Sequence, residues 1–267
     1  MKVAILAPIG NSLYSLNTTH LLAQQKDVQV TGIVVRTPWD LARFRSEFQR
    51  DGVRLMRKVL NKWLLREKPL DFDGDETLLS QSRKIHLNEK TLFEWAKNRD
   101  IPILTVSDHN QPDSQLFLEK AAPDLIVFTG GGLIRENILR VPRMGVINCH
   151  SGWLPKYRGM DAIEWAVLEA GSRKPEVGIT LHFMDRGVDT GPILLRYKVE
   201  VKKGDTFARI RQRLEPMVVK LMIKGVCGLR DEILQFKPQR PGDGRQFFVM
   251  HPRLQAVAWN RLNRDQS

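Results

Sequence analysis

The feature that most limits what this chain can fold into is an alternation. Short apolar runs are separated by segments with helical spacing. Residues 3–7 (VAILA) are closed by Pro8 and Gly10, as expected of a buried strand and its turn. A helical segment covers 13–25, and residues 28–35 (VQVTGIVV) are β-branched and strand-like. A β-α-β opening implies a parallel sheet with a right-handed crossover. The pattern continues with expected strands at 103–106, 125–129 and 145–149 and helices at 91–97, 116–120 and 133–139. A helix at 162–170, strands at 178–183 and 193–201, and a helix at 206–226 interrupted by Pro216 follow. This predicts an α/β, Rossmann-like, doubly wound and mostly parallel sheet. Such sheets take ligands outside the carboxyl ends of their strands. The 267 residues divide into one α/β domain, 1–233, and a C-terminal extension, 234–267. The extension opens on a linker rich in Pro and Gly. It closes on a short basic helix at 253–264, read as a docked or frayed terminus.

Two stretches depart from the alternation. Residues 39–68 place Leu41, Phe44, Phe48, Leu55, Val59 and Trp63 at helical spacing, with nine Lys/Arg against four acids. This is an inserted basic amphipathic helix or helix pair, with a break near Gly52. Its polar face is either a solvated surface or a contact for a membrane surface or an anionic substrate. Residues 71–81 are acidic and read as a loop. The net charge is +12, which favours an anionic partner without choosing one. Cys149 and Cys227 are too few for a disulfide framework or a four-thiolate zinc site. No metal is expected, and a reducing cytoplasmic setting is. The N-terminus reads as a first strand, not a signal peptide. No run reaches the roughly 18 apolar residues of a membrane span.

Residues 145–193 carry the chemistry. Asn148 and His150 are two apart at the end of an apolar strand, so their side chains share a face and Cys149 takes the other. Cys149 is therefore expected to be a small buried hydrophobe, not a nucleophile. A later strand brings His182 and runs into a polar turn with Asp185 and Asp189. An amide donor, an imidazole and a carboxylate are the parts acyl transfer needs. They stabilise a developing oxyanion, move a proton and orient the base. Spacing alone leaves a structural reading of the histidine open.

The segment resembles the 10-formyltetrahydrofolate-dependent formyltransferase family. The match lies in Asn148-Cys149-His150, the Leu154–Gly159 loop, the Gly178–His182 strand and Asp189-Thr190-Gly191. It extends over about residues 1–225. The resemblance implies catalytic roles for Asn148, His150 and Asp189, with Asp189 favouring a protonated His150. It implies 10-formyltetrahydrofolate as co-substrate, its pterin held by Phe128, Gly130, Gly131, Gly132 and Leu133 and by Met184, Asp185 and Gly187. Glycines 130–132 either admit close backbone approach or form a flexible turn. Gly10, Asn11 and Ser12 either hold a substrate phosphate or cap a helix. Ser151, Lys156 and Arg158 border the site as substrate contacts, and His182 is a neighbouring strand residue. Where many members have Ser, this chain has Gly152.

The expected function is formyl transfer to a primary amine on a phosphorylated small molecule. The favoured acceptor is a nucleotide- or lipid-linked amino sugar of a surface-polysaccharide route. Glycinamide ribonucleotide, methionyl-tRNA or water are the alternatives. The C-terminal stretch is shorter than the OB-like domain that tRNA recognition uses, so tRNA is not an expected partner. A different class, a non-catalytic basic module binding RNA or a membrane surface, would show strongly salt-dependent binding. The acceptor and any homo-oligomer are left open by the sequence.

Overall fold

The computed structural model describes residues 1–37 and 76–264, so the expected basic helix at 39–68 lies outside the described residues. Among them, seven strands form one sheet, assembled in the order β3-β2-β1-β4-β5-β7-β8. The strands are β1 (Lys2–Ala7), β2 (Gln29–Arg36), β3 (Ile103–Val106), β4 (Leu125–Phe128), β5 (Gly145–His150), β7 (Gly178–Phe183) and β8 (Ile193–Lys198). The first five pair in parallel, and β7 and β8 add antiparallel. The chain builds outward from β1 in one direction, then returns to β4 and builds the other way. The switch point is therefore the crevice between β1 and β4, where doubly wound sheets bind ligands.

The parallel strands read as continuous apolar runs because both faces are covered. Val3, Ile5 and Val127 face one core with Leu16 and Leu22 of α1 (Leu13–Ala23) and Ile210, Leu214 and Met222 of α7 (Phe207–Arg230). Ala4, Leu6, Ile126 and Val146 face the other, with Leu118 of α4 (Pro112–Ala121) and Ile138 of α5 (Glu136–Leu139). α7 passes through Pro216 as one helix. Removing a fully buried leucine such as Leu125 would cost about 2–5 kcal/mol.

Several elements differ from the sequence reading. Residues 78–81, read as the end of an acidic loop, open α2 (Leu78–Lys84). Thr77 and Ser80 close a reciprocal capping box at its start. The helix expected at 133–139 is only the single turn α5, which leaves Leu133 exposed. α3 (Leu92–Lys97) and α6 (Ala162–Ala170) fall where expected. The linker and the Leu-Pro loop both hide strands: β6 (Tyr157–Gly159) pairs in parallel with β9 (Arg245–Phe247). The C-terminal helix α8 (Pro252–Arg264) packs on α6 with Ala258 and Leu262 buried, so it is docked. Three-residue strands have too few side chains for a period of two to be read. Their stability comes from the partner strand.

Candidate active site

β5 ends at the centre of the sheet. Its register places Asn148 between Phe128 of β4 and His182 of β7. Asn148 and His150 continue the Val146 face, and Cys149 joins Ile147 in the opposite core. Burial pushes the Cys149 thiol far up, so it stays protonated and inert.

Asp189 is the hub. Its Oδ2 lies 3.4 Å from His150 Nδ1, and its Oδ1 lies 3.4 Å from His182 Nε2. The Gly159 amide donates to Oδ2 at 2.8 Å. Asp189 itself has φ of +54°, a left-handed conformation that Asp tolerates better than most residues and that marks a constrained turn. Burial alone would raise its carboxyl. Contacts with His182, His150 and the Gly159 N–H outweigh burial and hold it at about 2.

His150 is fixed from its other side. Its Nε2 lies 2.9 Å from the Tyr157 carbonyl oxygen, an acceptor, so Nε2 carries the proton. Nδ1 then faces the carboxylate. Burial lowers the imidazole, and the opposing pull of Asp189 does not restore it. The direction for His150 runs against the protonated side chain that the resemblance implied. Its desolvation in a protein wall outweighs one carboxylate at 3.4 Å.

His182 was missed as a site residue. Its side chain is 1% exposed. Nδ1 donates to the Phe183 carbonyl at 2.7 Å, and Nε2 lies 3.4 Å from Asn148 Nδ2 as well as from Asp189. It bridges the amide and the carboxylate. Position 182 has the same strand parity as Thr180, the one available signal. Thr180 Oγ1 donates to the Gly152 carbonyl at 2.7 Å and accepts from the Leu154 amide at 3.1 Å. That pins the turn after His150. A side chain at Gly152 would place its Cβ 2.4 Å from His150 Nε2 and 2.8 Å from Ala162 Cβ. The glycine is there because the imidazole lies against it.

Glycines 130–132 form a fitted turn. All three have positive φ, between +103° and +128°. A Cβ on Gly131 would meet His109 Cε1 at 2.5 Å, and the buried Arg36 donates to the Gly131 carbonyl. Phe128 is buried at the end of β4, and Leu133 is exposed. The second expected loop is ordered by Asp185, whose Oδ1 accepts from the Gly187 amide at 3.0 Å and Thr190 Oγ1 at 2.6 Å. Met184 donates its amide to Val146 at 2.7 Å. An exposed ion pair joins Arg186 of the second loop to Glu136 at the start of α5.

A cavity of about 380 Å³ opens beside Asn148. Cys149, Thr129, Gly130, Ser151, Tyr14, Arg211 and Glu215 are among its lining. Partial desolvation raises the Glu215 carboxyl.

The expected substrate contacts fall as follows. Arg158 is 5% exposed and donates to Gln239 Oε1 and the Arg240 carbonyl, so it is not presented to a ligand. Lys156 pairs with Glu176 at 2.6 Å, pointing along the surface. Ser12 is the N-cap of α1, its Oγ accepting from the Ser15 amide at 3.2 Å. Gly10 packs under Phe93, and Asn11 is exposed. No metal-holding group of His, Cys, Asp and Glu occurs among the described residues. None of the described helices is long and apolar enough to cross a membrane.

Comparison with known proteins gives the family. The model of the family described as "Formyl transferase" matches residues 1–226. Methionyl-tRNA formyltransferase of Pseudomonas entomophila is 34% identical over 61% of this chain and 52% of its own length. That of Pseudomonas putida strain GB-1 is 37% identical over 52% of this chain and 44% of its own. The chain thus spans about half the length of the curated relatives it matches. Phosphoribosylglycinamide formyltransferase of Anaplasma phagocytophilum shares the fold, with a TM-score of 0.58 and 16% identity over 92% of this chain and 99% of its own. So does an N-formyltransferase of Helicobacter canadensis, solved with folinic acid and dTDP-3-aminofucose. Its TM-score is 0.56, with 16% identity over 98% of this chain and 80% of its own. Sequence motif, sheet topology and family match coincide over the same residues, and this chain belongs to the formyl transferase family.

Proposed function

We propose that this chain transfers a formyl group from 10-formyltetrahydrofolate to a primary amine on a small, phosphorylated molecule, with a nucleotide- or lipid-linked amino sugar as the acceptor. The observation that carries the reading is the Asn148–His182–Asp189–His150 array, of which Asn148 also lines a cavity of about 380 Å³. That volume is in the range of small-molecule pockets.

The chemistry follows from the array. As the amine attacks the formyl carbon, the carbonyl oxygen gains negative charge. The Asn148 amide N–H groups stabilise it in a water-poor site. The neutral His150, backed by Asp189, takes the proton that the amine nitrogen must lose and returns it to the departing folate nitrogen. Asp189 makes the transient imidazolium cheaper to form. The loops at 128–133 and 184–189 would flank the pterin.

A second reading has its own support. The curated relatives are methionyl-tRNA formyltransferases, and a chain with net charge +12 suits a polyanion. The test sets the two side by side. Formate release from or transfer by 10-formyltetrahydrofolate is followed with nucleotide-linked amino sugars and with methionyl-tRNA. Turnover with an amino sugar, lost in His150→Ala, supports the first reading. Turnover with methionyl-tRNA alone replaces it with the second. No turnover above the His150→Ala level with any acceptor overturns both.

A further inference from the structure

The family match ends at residue 226, yet the chain beyond it returns to the catalytic end of the sheet. Lys237 and Ile193 exchange both backbone hydrogen bonds, at 2.8 and 2.7 Å, which seats the returning segment beside β8. Two residues later Gln239 meets the Asp189 turn. Its Nε2 donates to the Asp189 carbonyl at 3.0 Å and to the Gly191 carbonyl at 2.6 Å. Its Oε1 accepts from Arg158 Nε and Nη2, each at 3.1 Å. A carboxamide has two donor hydrogens and two acceptor lone pairs. All four are spent here on the protein, so Gln239 has no capacity left for a ligand.

The segment then runs on as β9 beside β6. Phe247 is 5% exposed, between the rings of Tyr157 and Trp165 at 5.6 and 4.9 Å, and its carbonyl takes the Met160 amide at 2.9 Å. The Met250 amide donates to Asp161 at 2.8 Å. What β6 does makes this more than terminal packing. Its Tyr157 carbonyl holds His150 Nε2, and its Gly159 amide holds Asp189 Oδ2. The strap therefore grips the Asp189 turn directly and the support of His150 through β6. Arg158, buried in the middle of β6, joins the two grips through Gln239.

We propose that Gln239 is a positioning residue for the reaction: with Arg158 it locks the Asp189 turn against β6 and so sets the separation of Asp189 and His150. The inference rests on His150 and Asp189 acting as the proton-handling pair. Its test needs neither folate nor acceptor, so its failure is separate from failure of the formyl-transfer reading.

The test uses the full chain in three variants. Gln239→Met keeps length and bulk but removes all four hydrogen bonds. Gln239→Glu keeps the acceptor for Arg158 but removes both donors to the Asp189 turn. Leu254→Ala, on the exposed side of α8, is the control. The first readout is hydrogen exchange of the Gly159 amide, which reports its bond to Asp189. It is compared with the amides of Ile5 and Val127 in the sheet centre. Both Gln239 variants should speed Gly159 exchange by about ten-fold or more, the loss expected for about one net hydrogen bond. The core amides and Leu254→Ala should stay at the unsubstituted rates. The second readout is NMR titration of the His150 ring, which faces Asp189 and His182 and the Tyr157 carbonyl. In Gln239→Met its midpoint should fall by about one pH unit as the carboxylate moves away. An unchanged Gly159 amide and an unchanged His150 midpoint would overturn the proposal. So would equal acceleration of the core amides, which would make Gln239 a contributor to global stability alone.

Discussion

His150 Nε2 lies 2.9 Å from the carbonyl oxygen of Tyr157, and this one contact decides which nitrogen of the ring turns to Asp189. A carbonyl only accepts, so the proton sits on Nε2. Nδ1, 3.4 Å from Asp189, is the position that gains and loses one. Catalytic contacts of this kind are often long before substrate closes them.

Replacing His150 with Ala should lower kcat by about 10²–10⁴ through loss of proton transfer. Replacing Asn148 with Ala should lower it by about 10²–10³ through loss of an oxyanion donor. Steady-state rates with the acceptor that supports turnover check both. A decrease under about threefold in either variant would remove that residue from the mechanism.

The pH dependence has a definite sign. Burial lowers His150 below its ordinary 6.5, and Asp189 pulls the other way. With the neutral form as the proposed base, kcat/KM should rise with pH through a midpoint displaced below 6.5 and then level off. Asp189→Asn removes the opposing pull, so the midpoint should move further down, not up. A pH–rate profile for both proteins distinguishes these outcomes.

Stability should follow acid in the same direction. Asp189 is held at about 2 against its ordinary 3.8, so its contribution is present above about 3.8 and is lost as pH falls towards 2. The size is on the order of 2 kcal/mol for a side chain 14% exposed. His150 adds to the loss, because the unfolded chain binds its proton at a higher pH than the folded one does. Urea titrations at stepped pH should show a steeper acid loss in the native chain than in Asp189→Asn.

Gly152 makes a sharper test of the geometry. Gly152→Ser should disturb this site, because its Cβ would lie 2.4 Å from His150 Nε2. The expected cost is about 1–3 kcal/mol of stability together with a fall in kcat. A serine variant with native melting temperature and full activity would mean that His150 sits elsewhere.

Gly131→Ala should destabilise by about 2 kcal/mol or more. Its φ of +121° is strained for any side chain, and the added Cβ would meet His109 at 2.5 Å. Under the folate reading the same change should weaken binding of 5-formyltetrahydrofolate, measurable by calorimetry.

The amino-acid sequence by itself determined what repeats locally. Continuous apolar runs at 3–7 and 125–128 specify strands covered on both faces. Helical spacing specifies the crossovers between them, and together they give a doubly wound sheet with its ligand end at the strand carboxyl termini. Strand parity alone puts Asn148 and His150 on one face and Cys149 on the other. The tertiary structure decided everything that depends on distant partners. His182 becomes a site residue only because antiparallel pairing brings β7 against β5, opposite Asn148. Arg158, a loop charge in sequence, is consumed by Gln239, 81 residues away. The segment that reads as a Pro- and Gly-rich linker becomes a strap because β9 finds β6 and Gln239 finds the Asp189 turn. Periodicity encodes which face of an element is apolar. It carries no record of which remote carbonyl a side-chain amide will meet, because that is set only when the whole chain has packed.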